Sequence, residues 1–140
     1  MPYAFQVTRA GGPEVFERVE VPRPVPGPGQ LLVRVMAAGV NFAETYQRSG
    51  VCAVDYPFVP GVEAAGTVEE IGDGVTEFAS GDRVATTEGA GSYAEYMVLD
   101  ADKALPVPGS VSDDVAAALT AQGITAHYLI NSSYYVKPGE

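Results

Sequence analysis

The chain has 140 residues, of which 46% are hydrophobic and 19% are charged, and its formal net charge is −10. This composition fits one soluble globular domain and excludes a disordered or fibrous chain. The eight Lys and Arg residues do not cluster, so nothing would neutralise the phosphates of a nucleic acid or of an anionic membrane. We therefore expect neither a nucleic-acid partner nor a membrane partner.

The single cysteine, Cys52, excludes an intrachain disulfide framework and suits a reducing compartment. Residues 1–12 lack a basic stretch followed by an apolar core, so we expect no signal peptide. No apolar run approaches the roughly 20 residues needed to span a bilayer. The sequence therefore predicts a soluble, cytoplasmic domain.

Short apolar stretches separated by glycine and proline turns fill most of the chain. Their alternation with polar residues predicts strands at residues 3–8, 15–21, 30–36, 63–71, 83–86, 91–99 and 104–107. The strand at 30–36 carries Leu31 on one face and Leu32 and Met36 on the other, which predicts a central strand covered on both faces. Residues 22–30 are too proline-rich for helix or central strand. Short strands at this spacing, with no helices between most of them, predict an antiparallel barrel or sandwich.

Helices are expected at two places. Residues 42–49 suit a short helix. Near the C-terminus, Ser112 can cap a helix whose first turn holds two aspartates, which favour the positive end of the helix dipole. We expect Gly123 to break this helix, a second helix to begin at Thr125, and Pro138 to end it.

The chain lacks the residue patterns of several common active sites. A structural zinc site needs about four Cys or His ligands, and this chain has only Cys52 and His127, far apart in sequence. Ser92 does not lie in a G-x-S-x-G motif. Neither G-x-G-x-x-G nor G-x-x-x-x-G-K-[ST] occurs, so the chain contains no dinucleotide or phosphate fingerprint. We expect no metal site.

Four polar residues at the predicted ends of strands and helices are candidates for chemistry. Asn41 either caps a helix or presents its amide at the edge of a cleft. Tyr46 could face the core one helical turn after Phe42, with its hydroxyl exposed as an anchor or proton donor. Glu63 is either a buried acid with a partner or the exposed face of a strand. Thr125 is either functional or only a helix cap.

Taken together, several segments resemble the zinc-free quinone oxidoreductase (zeta-crystallin-like) branch of the medium-chain dehydrogenase/reductase superfamily. They occur in the order found in that family and cover nearly the whole chain. The matching segments are GGPEVFERVEVPRP, GQLLVRVMAAGVNFAETYQRSG, PFVPGVEAAGTVEEIGDGV, GDRVA, GSYAEYMVL, TAQGITAHYLI and YYVKPGE.

The resemblance implies a mainly β fold with short helices, a GroES-like antiparallel β-barrel. It assigns residues 1–122 to this catalytic domain and residues 123–140 to a helix and linker. In the family these lead to a Rossmann domain that binds NADPH and is absent here, so we expect the chain alone to be inactive. Zinc-dependent relatives place a histidine immediately before Glu63, where this chain has Val62, which agrees with a zinc-free site.

Carried over residue by residue, the resemblance makes Asn41 and Tyr46 the catalytic candidates. Asn41 resembles the asparagine beside the nicotinamide and the substrate, and Tyr46 resembles the tyrosine that lines the quinone pocket. Thr125 resembles a threonine at the nicotinamide end of the cofactor, with Gln122 nearby. The cofactor-binding candidates are thus Asn41, Gln122 and Thr125, while an active role of Glu63 is not specified.

The activity implied is hydride transfer from NADPH to a quinone or enone. An enoyl-reductase type shares GVNF and TAHY-like segments, and a stand-alone barrel acting as a binding or interaction module is the alternative outside the enzymes. Relatives complete the barrel domain with a later segment, so an uncovered edge or apolar patch is expected. Such surfaces favour association, so a homo-oligomer is one expected outcome.

Overall fold

The computed structural model describes residues 1–137 and residue 139 and contains seven strands and two α-helices within them. The strands are β1 (Tyr3–Val7), β2 (Phe16–Glu20), β3 (Gln30–Ala38), β4 (Ala64–Ile71), β5 (Arg83–Thr86), β6 (Tyr96–Asp100) and β7 (Leu105–Pro106). The helices are α1 (Phe42–Ser49) and α2 (Asp113–Tyr128), and α2 continues into a π-helical turn at Leu129–Ser133. Short 3₁₀ turns lie at Pro13–Val15 and Ala101–Lys103.

All strand pairs are antiparallel and lie in two sheets. β1 pairs with β2, and the other strands form a five-stranded sheet in the order β6-β3-β4-β5-β7. Backbone bonds tie β1 to the segment that leads into β6, because the N–H of Phe5 donates to the Tyr93 carbonyl at 2.8 Å and the N–H of Glu95 donates to the Tyr3 carbonyl at 3.0 Å. The predicted mainly β, antiparallel fold is confirmed. Among the described residues the strands form two bridged sheets rather than one closed ladder.

β3 is the strand around which the larger sheet is built. It pairs with β4 on one side and β6 on the other, and Leu31, Leu32 and Val33 are fully buried. The prediction of a central strand is therefore confirmed. The predicted burial of both faces does not hold at the end of the strand, where Met36 is 51% exposed.

Helix α2 packs on the sheet through small side chains. Ala116 and Ala117 are buried against Ala65 and Ala85, the residues that β4 and β5 place on that face. A salt bridge joins the start of the helix to the sheet, since the Arg83 guanidinium donates to one oxygen of Asp113 at 2.7 Å. These contacts fix the position of the helix that carries several of the candidate residues.

The predicted break at Gly123 is wrong, because α2 runs through this residue to Tyr128. A glycine costs about 1 kcal/mol in a helix interior, which the packing of a long helix offsets. The missing Cβ also makes room for Leu119, whose Cδ1 would lie only 2.8 Å from that atom. The predicted stop at Pro138 lies outside the described residues. No helix of the described chain is long and apolar enough to cross a membrane.

The pairing of β3 with β4 depends on a glycine that lets two backbones approach. A Cβ at Gly66 would collide with the carbonyl oxygen of Arg34 on β3. We expect Gly66→Ala to lower the free energy of unfolding by about 2 kcal/mol or more, because a backbone atom cannot rotate away. Urea unfolding followed by circular dichroism measures the change.

Gly109→Ala is the matched control, since a Cβ there meets no atom within 4 Å. Its unfolding free energy should stay within about 0.5 kcal/mol of the wild-type value. Equal unfolding midpoints for the two variants would contradict the close-approach argument.

Candidate functional site

The local sequence at α1 places Asn41 at a fixed point between the central strand and the helix. β3 ends at Ala38, Asn41 is the N-cap residue of α1, and Gly50 ends the helix in a left-handed conformation with φ of 80°. The carboxylate of Glu44, in the first turn, accepts the backbone N–H of Asn41 at 2.8 Å. The helix-cap interpretation of Asn41 therefore holds, and its side chain has further partners.

The amide of Asn41 lies between two elements that are far apart in sequence. Its Nδ2 donates to Oε2 of Glu63 at 3.1 Å. Its Oδ1 accepts from Nε2 of Gln122 on α2 at 2.8 Å. Both ends of the amide are thus held, so its orientation is defined rather than free to rotate.

Glu63 is the acid at the centre of this arrangement, and it is fully buried. Its Oε1 accepts from the hydroxyl of Thr120 at 2.9 Å and from the backbone N–H of Ala121 at 2.7 Å. Its backbone carbonyl accepts the hydroxyl of the buried Ser92 at 3.1 Å. Of the two alternatives left open by the sequence, the buried acid with partners is the correct one.

A groove beside this network brings three of the candidate residues together. Its volume is about 380 Å³, and its lining residues are Asn41, Ala121, Gln122, Thr125, Ala126 and Leu129. Thr125 lies within the last turn of α2, whose N-cap is Ser112, so the helix-cap interpretation of Thr125 is wrong. The groove has polar groups at its edge and small apolar side chains along α2.

Tyr46 does not line this groove. It lies one turn after Phe42 on α1, with the two ring centroids 6.4 Å apart, and it is 48% exposed. Its backbone carbonyl accepts the N–H of Cys52, which holds the start of the following loop against the helix. Tyr46 therefore does not face the core as predicted, because it lies with Phe42 on an exposed side of α1, five residues after Asn41.

A second buried polar pair lies beneath α1. Oε1 of Glu44 and the hydroxyl of Tyr93 are buried without a hydrogen-bond partner among the described residues. Burial, together with the negative charge of Glu44, raises the pKa of Tyr93 from 10.0 to about 12. The phenol is therefore held in its neutral form.

Neither Cys52 nor His127 is part of a metal site in the described chain. Both are exposed, and the described residues contain no group of three or more His, Cys, Asp or Glu side chains that could hold a metal ion. The geometry offers hydrogen-bond donors and acceptors around a small groove.

Comparison with known protein families identifies the family to which this fold belongs. The model of the alcohol dehydrogenase GroES-like domain matches residues 27–109, which is more than half of the chain. The chain belongs to this family. The GroES-like domain predicted from the sequence is thereby confirmed, and the Asn41 network lies within and beside it.

Known relatives of this GroES-like chain are reductases. It is 42% identical to a 2-haloacrylate reductase of Burkholderia sp. over its whole length, and 41% identical to a quinone oxidoreductase of Pseudomonas aeruginosa over 96% of its length. The structure of Escherichia coli quinone oxidoreductase complexed with NADPH superposes on 99% of the chain, with a TM-score of 0.94 and 36% identity. The predicted resemblance to quinone oxidoreductases of the medium-chain superfamily is confirmed. The chain spans 42 to 44% of the length of these proteins.

Sequence reasoning missed the donors that surround Glu63. Thr120 and Ala121 lie on α2, 57 and 58 residues further along the chain, and no local pattern connects them with Glu63. The link between Glu44 and Tyr93 was also missed. The N-cap asparagine followed three residues later by a glutamate, the pattern of a capping box, was the available signal for Glu44.

The unpartnered hydroxyl of Tyr93 leads to a stability prediction. We expect Tyr93→Phe to leave the free energy of unfolding unchanged or to raise it by up to about 1 kcal/mol, because it removes a buried hydroxyl without a partner. Tyr56→Phe is the matched control, since the hydroxyl of Tyr56 donates to the Gln47 carbonyl at 2.9 Å. The control should lose about 1 kcal/mol. Urea titrations at neutral pH measure both.

Tyr93→Phe should also change how the free energy of unfolding depends on pH in the alkaline range. The unfolded chain releases the Tyr93 proton near the ordinary pKa of 10.0, whereas the folded chain keeps it up to about 12. Since the folded state then binds more protons, the wild type loses stability as the pH rises across this interval. Tyr93→Phe should lose less stability over the same interval. Parallel losses in the two proteins would contradict the assignment.

Proposed function

We propose that this chain is the substrate half of an NADPH-dependent reductase that transfers hydride to a quinone or an enone. The observation that carries the proposal is the meeting of Asn41, Gln122 and Thr125 at one groove, although 81 residues separate Asn41 from Gln122. The relatives named above are reductases of this kind, and one of them was solved with NADPH. Asn41 and Tyr46 are the proposed catalytic residues.

The groove fits the reactive end of a nicotinamide cofactor rather than the whole molecule. A nicotinamide ring has apolar faces and one carboxamide, and the groove combines small apolar side chains with the polar groups of Gln122 and Thr125. The sequence has no glycine-rich phosphate loop for the rest of a dinucleotide. The proposed cofactor-binding residues of this chain are therefore Asn41, Gln122 and Thr125, with the remainder of the cofactor held elsewhere.

The chemistry assigned to the chain itself is the orientation of the acceptor. NADPH, when bound, supplies the hydride. As hydride arrives, negative charge develops on the carbonyl oxygen of the acceptor, and a fixed N–H of Asn41 stabilises that charge by donating to it. Tyr46, further along α1, is proposed to contact the same acceptor. No metal is assigned a role, and the chain is proposed to be zinc-free.

The exposed apolar surface of α2 is an argument for a contact with a further domain of the enzyme. Several large side chains along α2 and the π-helical turn are half exposed or more: Val115, Leu119, Ile124, Tyr128, Leu129 and Ile130. An exposed apolar surface of this extent is typical of a contact with another domain or subunit. We propose that it adjoins a nucleotide-binding domain, with residues 1–122 as the catalytic domain and 123–140 as the connection. α2 itself runs across that boundary.

The relative named as a 2-haloacrylate reductase favours a second candidate activity, the reduction of an activated carbon–carbon double bond. This matches the enoyl-reductase alternative, and a preference for enones over quinones in the complete enzyme would support it. A stand-alone interaction module has no specific support in the structure. We propose a cytoplasmic location. We also propose that the protein can form a homo-oligomer, which a measurement of its mass in solution tests.

Replacing Asn41 tests the catalytic assignment. In the enzyme assembled with its nucleotide-binding domain, Asn41→Ala should lower kcat/KM for the acceptor by roughly tenfold or more, because the N–H that stabilises developing charge is lost. Steady-state oxidation of NADPH with a quinone and with an enone measures this change.

Asn41→Ser separates the amide from the helix cap. Serine is a good N-cap residue, so α1 should keep its stability while the amide is lost. We expect the serine variant, which keeps the helix cap, to melt at a higher temperature than the alanine variant and to show a kcat/KM as low as that of the alanine variant. Recovery of activity in the serine variant would assign the effect of Asn41→Ala to the helix cap.

The division of the cofactor site predicts weak binding by the chain alone. We expect the 140-residue chain to bind NADPH weakly or not at all and to show negligible turnover. Fluorescence titration with NADPH measures the affinity, and the enzyme assembled with its nucleotide-binding domain is the positive control. Tight binding by the chain alone would contradict the proposed division.

A further inference from the structure

The amide of Asn41 has a limited number of hydrogen-bonding groups, and most are already used. An asparagine side chain has two N–H donors and one carbonyl acceptor. One N–H donates to Glu63, and the carbonyl accepts from Gln122. Among the described residues, the second N–H has no partner. If Asn41 donates to an acceptor carbonyl, this N–H is the one available, and its position depends on which way round the amide is held.

Glu63 decides that orientation, because both of its side-chain oxygens accept hydrogen bonds from the protein. Its Oε1 accepts from the Thr120 hydroxyl and from the backbone N–H of Ala121, and its Oε2 accepts from Nδ2 of Asn41. An accepting oxygen at this position pairs with the nitrogen of the amide, so the amide oxygen is turned toward Gln122. The carboxylate is fully buried, and water does not compete for its oxygens.

The surrounding chain leaves the carboxylate no alternative position. A Cβ on Gly39 would overlap the carboxylate of Glu63, so the side chain fills the space that this glycine leaves open. The hydroxyl of Ser92 and the N–H of Gly39 both donate to the backbone carbonyl of Glu63, at 3.1 and 2.9 Å. The residue is therefore held at both its backbone and its side chain.

We propose that Glu63 is a positioning residue for hydride transfer, which fixes the amide of Asn41 so that a single N–H remains for the acceptor carbonyl. This inference rests on the proposed function and deepens it. Glu63 touches neither acceptor nor cofactor in this proposal. It acts through Asn41, and through the backbone of α2 at Ala121 it also fixes the neighbouring Gln122.

Glu63→Gln tests the proposal with almost no change of shape. A glutamine has one acceptor and one NH₂ group, and the backbone N–H of Ala121 requires the acceptor. The NH₂ group then faces Asn41, and two donors oppose each other unless the Asn41 amide turns over. The spare N–H consequently moves to the Gln122 side. We expect kcat and kcat/KM to fall together by about tenfold or more in the assembled enzyme.

Thr120→Val is the matched control. It removes a hydrogen bond from the same carboxylate, on the oxygen that does not face Asn41, while Ala121 still donates to that oxygen. The orientation of Asn41 should then be unchanged. A merely structural role of Glu63 predicts that the two variants lose activity in proportion to their loss of melting temperature. The positioning role predicts a loss of activity in Glu63→Gln beyond that proportion.

Side-chain NMR of the 140-residue chain gives a readout that does not depend on activity. In the wild type and in Thr120→Val, the Asn41 proton donated to the carboxylate should resonate downfield of the position usual for an asparagine side chain. In Glu63→Gln this downfield displacement should be lost and the Gln122 NH₂ signals should shift. If the glutamine variant does not fold, the wild-type spectrum alone decides, because Asn41 protons at the usual asparagine positions would overturn the proposal.

The two readouts separate the possible failures. An Asn41 spectrum that is the same in the wild type and in Glu63→Gln would overturn the positioning role of Glu63. A changed spectrum with unchanged kcat would instead show that the amide turns without consequence, which would overturn the proposed role of Asn41 in hydride transfer. A changed spectrum with reduced kcat supports both.

Discussion

The buried carboxylate of Glu63 is the group on which the geometry of the candidate site depends. Removing a carboxylate from water is costly unless its oxygens are hydrogen-bonded. In this chain the compensation comes from three donors, none of which is a basic side chain, and two of them belong to α2. The donors of α2 and the amide of Asn41 therefore meet the same requirement.

This arrangement joins three segments that the fold would otherwise leave independent. Glu63 directly precedes β4, Asn41 connects β3 to α1, and Thr120 lies in α2. The sheet fixes the first two, because β3 and β4 are paired neighbours. The third is fixed by alanine packing and by the salt bridge between Arg83 and Asp113. The polar site is thus supported by elements of regular structure, which suits a precise alignment of reacting groups.

The sequence allowed the strands, α1 and the candidate side chains to be predicted, because each depends on local patterns. The bounds of α1 follow from Asn41 at its start and Gly50 at its end, and the structure agrees. The prediction of two helices in place of α2 was wrong because it relied on the low helix propensity of glycine, which is a local property. The packing of the helix on the sheet outweighs that propensity. The hydrogen bonds around Glu63 join residues 22 to 58 positions apart, and no spacing rule reaches so far.

In the proposed site one acceptor contacts both Asn41, the N-cap residue of α1, and Tyr46 within that helix. Five residues of α-helix advance about 7.5 Å along the axis. The amide is held by Glu63 and Gln122, whereas the tyrosine within the helix is half exposed and packs only on Phe42 among the rings described. We therefore propose different tasks for the two residues. The rigid amide suits the reacting carbonyl, and the half-exposed tyrosine suits contact with the rest of the acceptor, where variation in shape is tolerated.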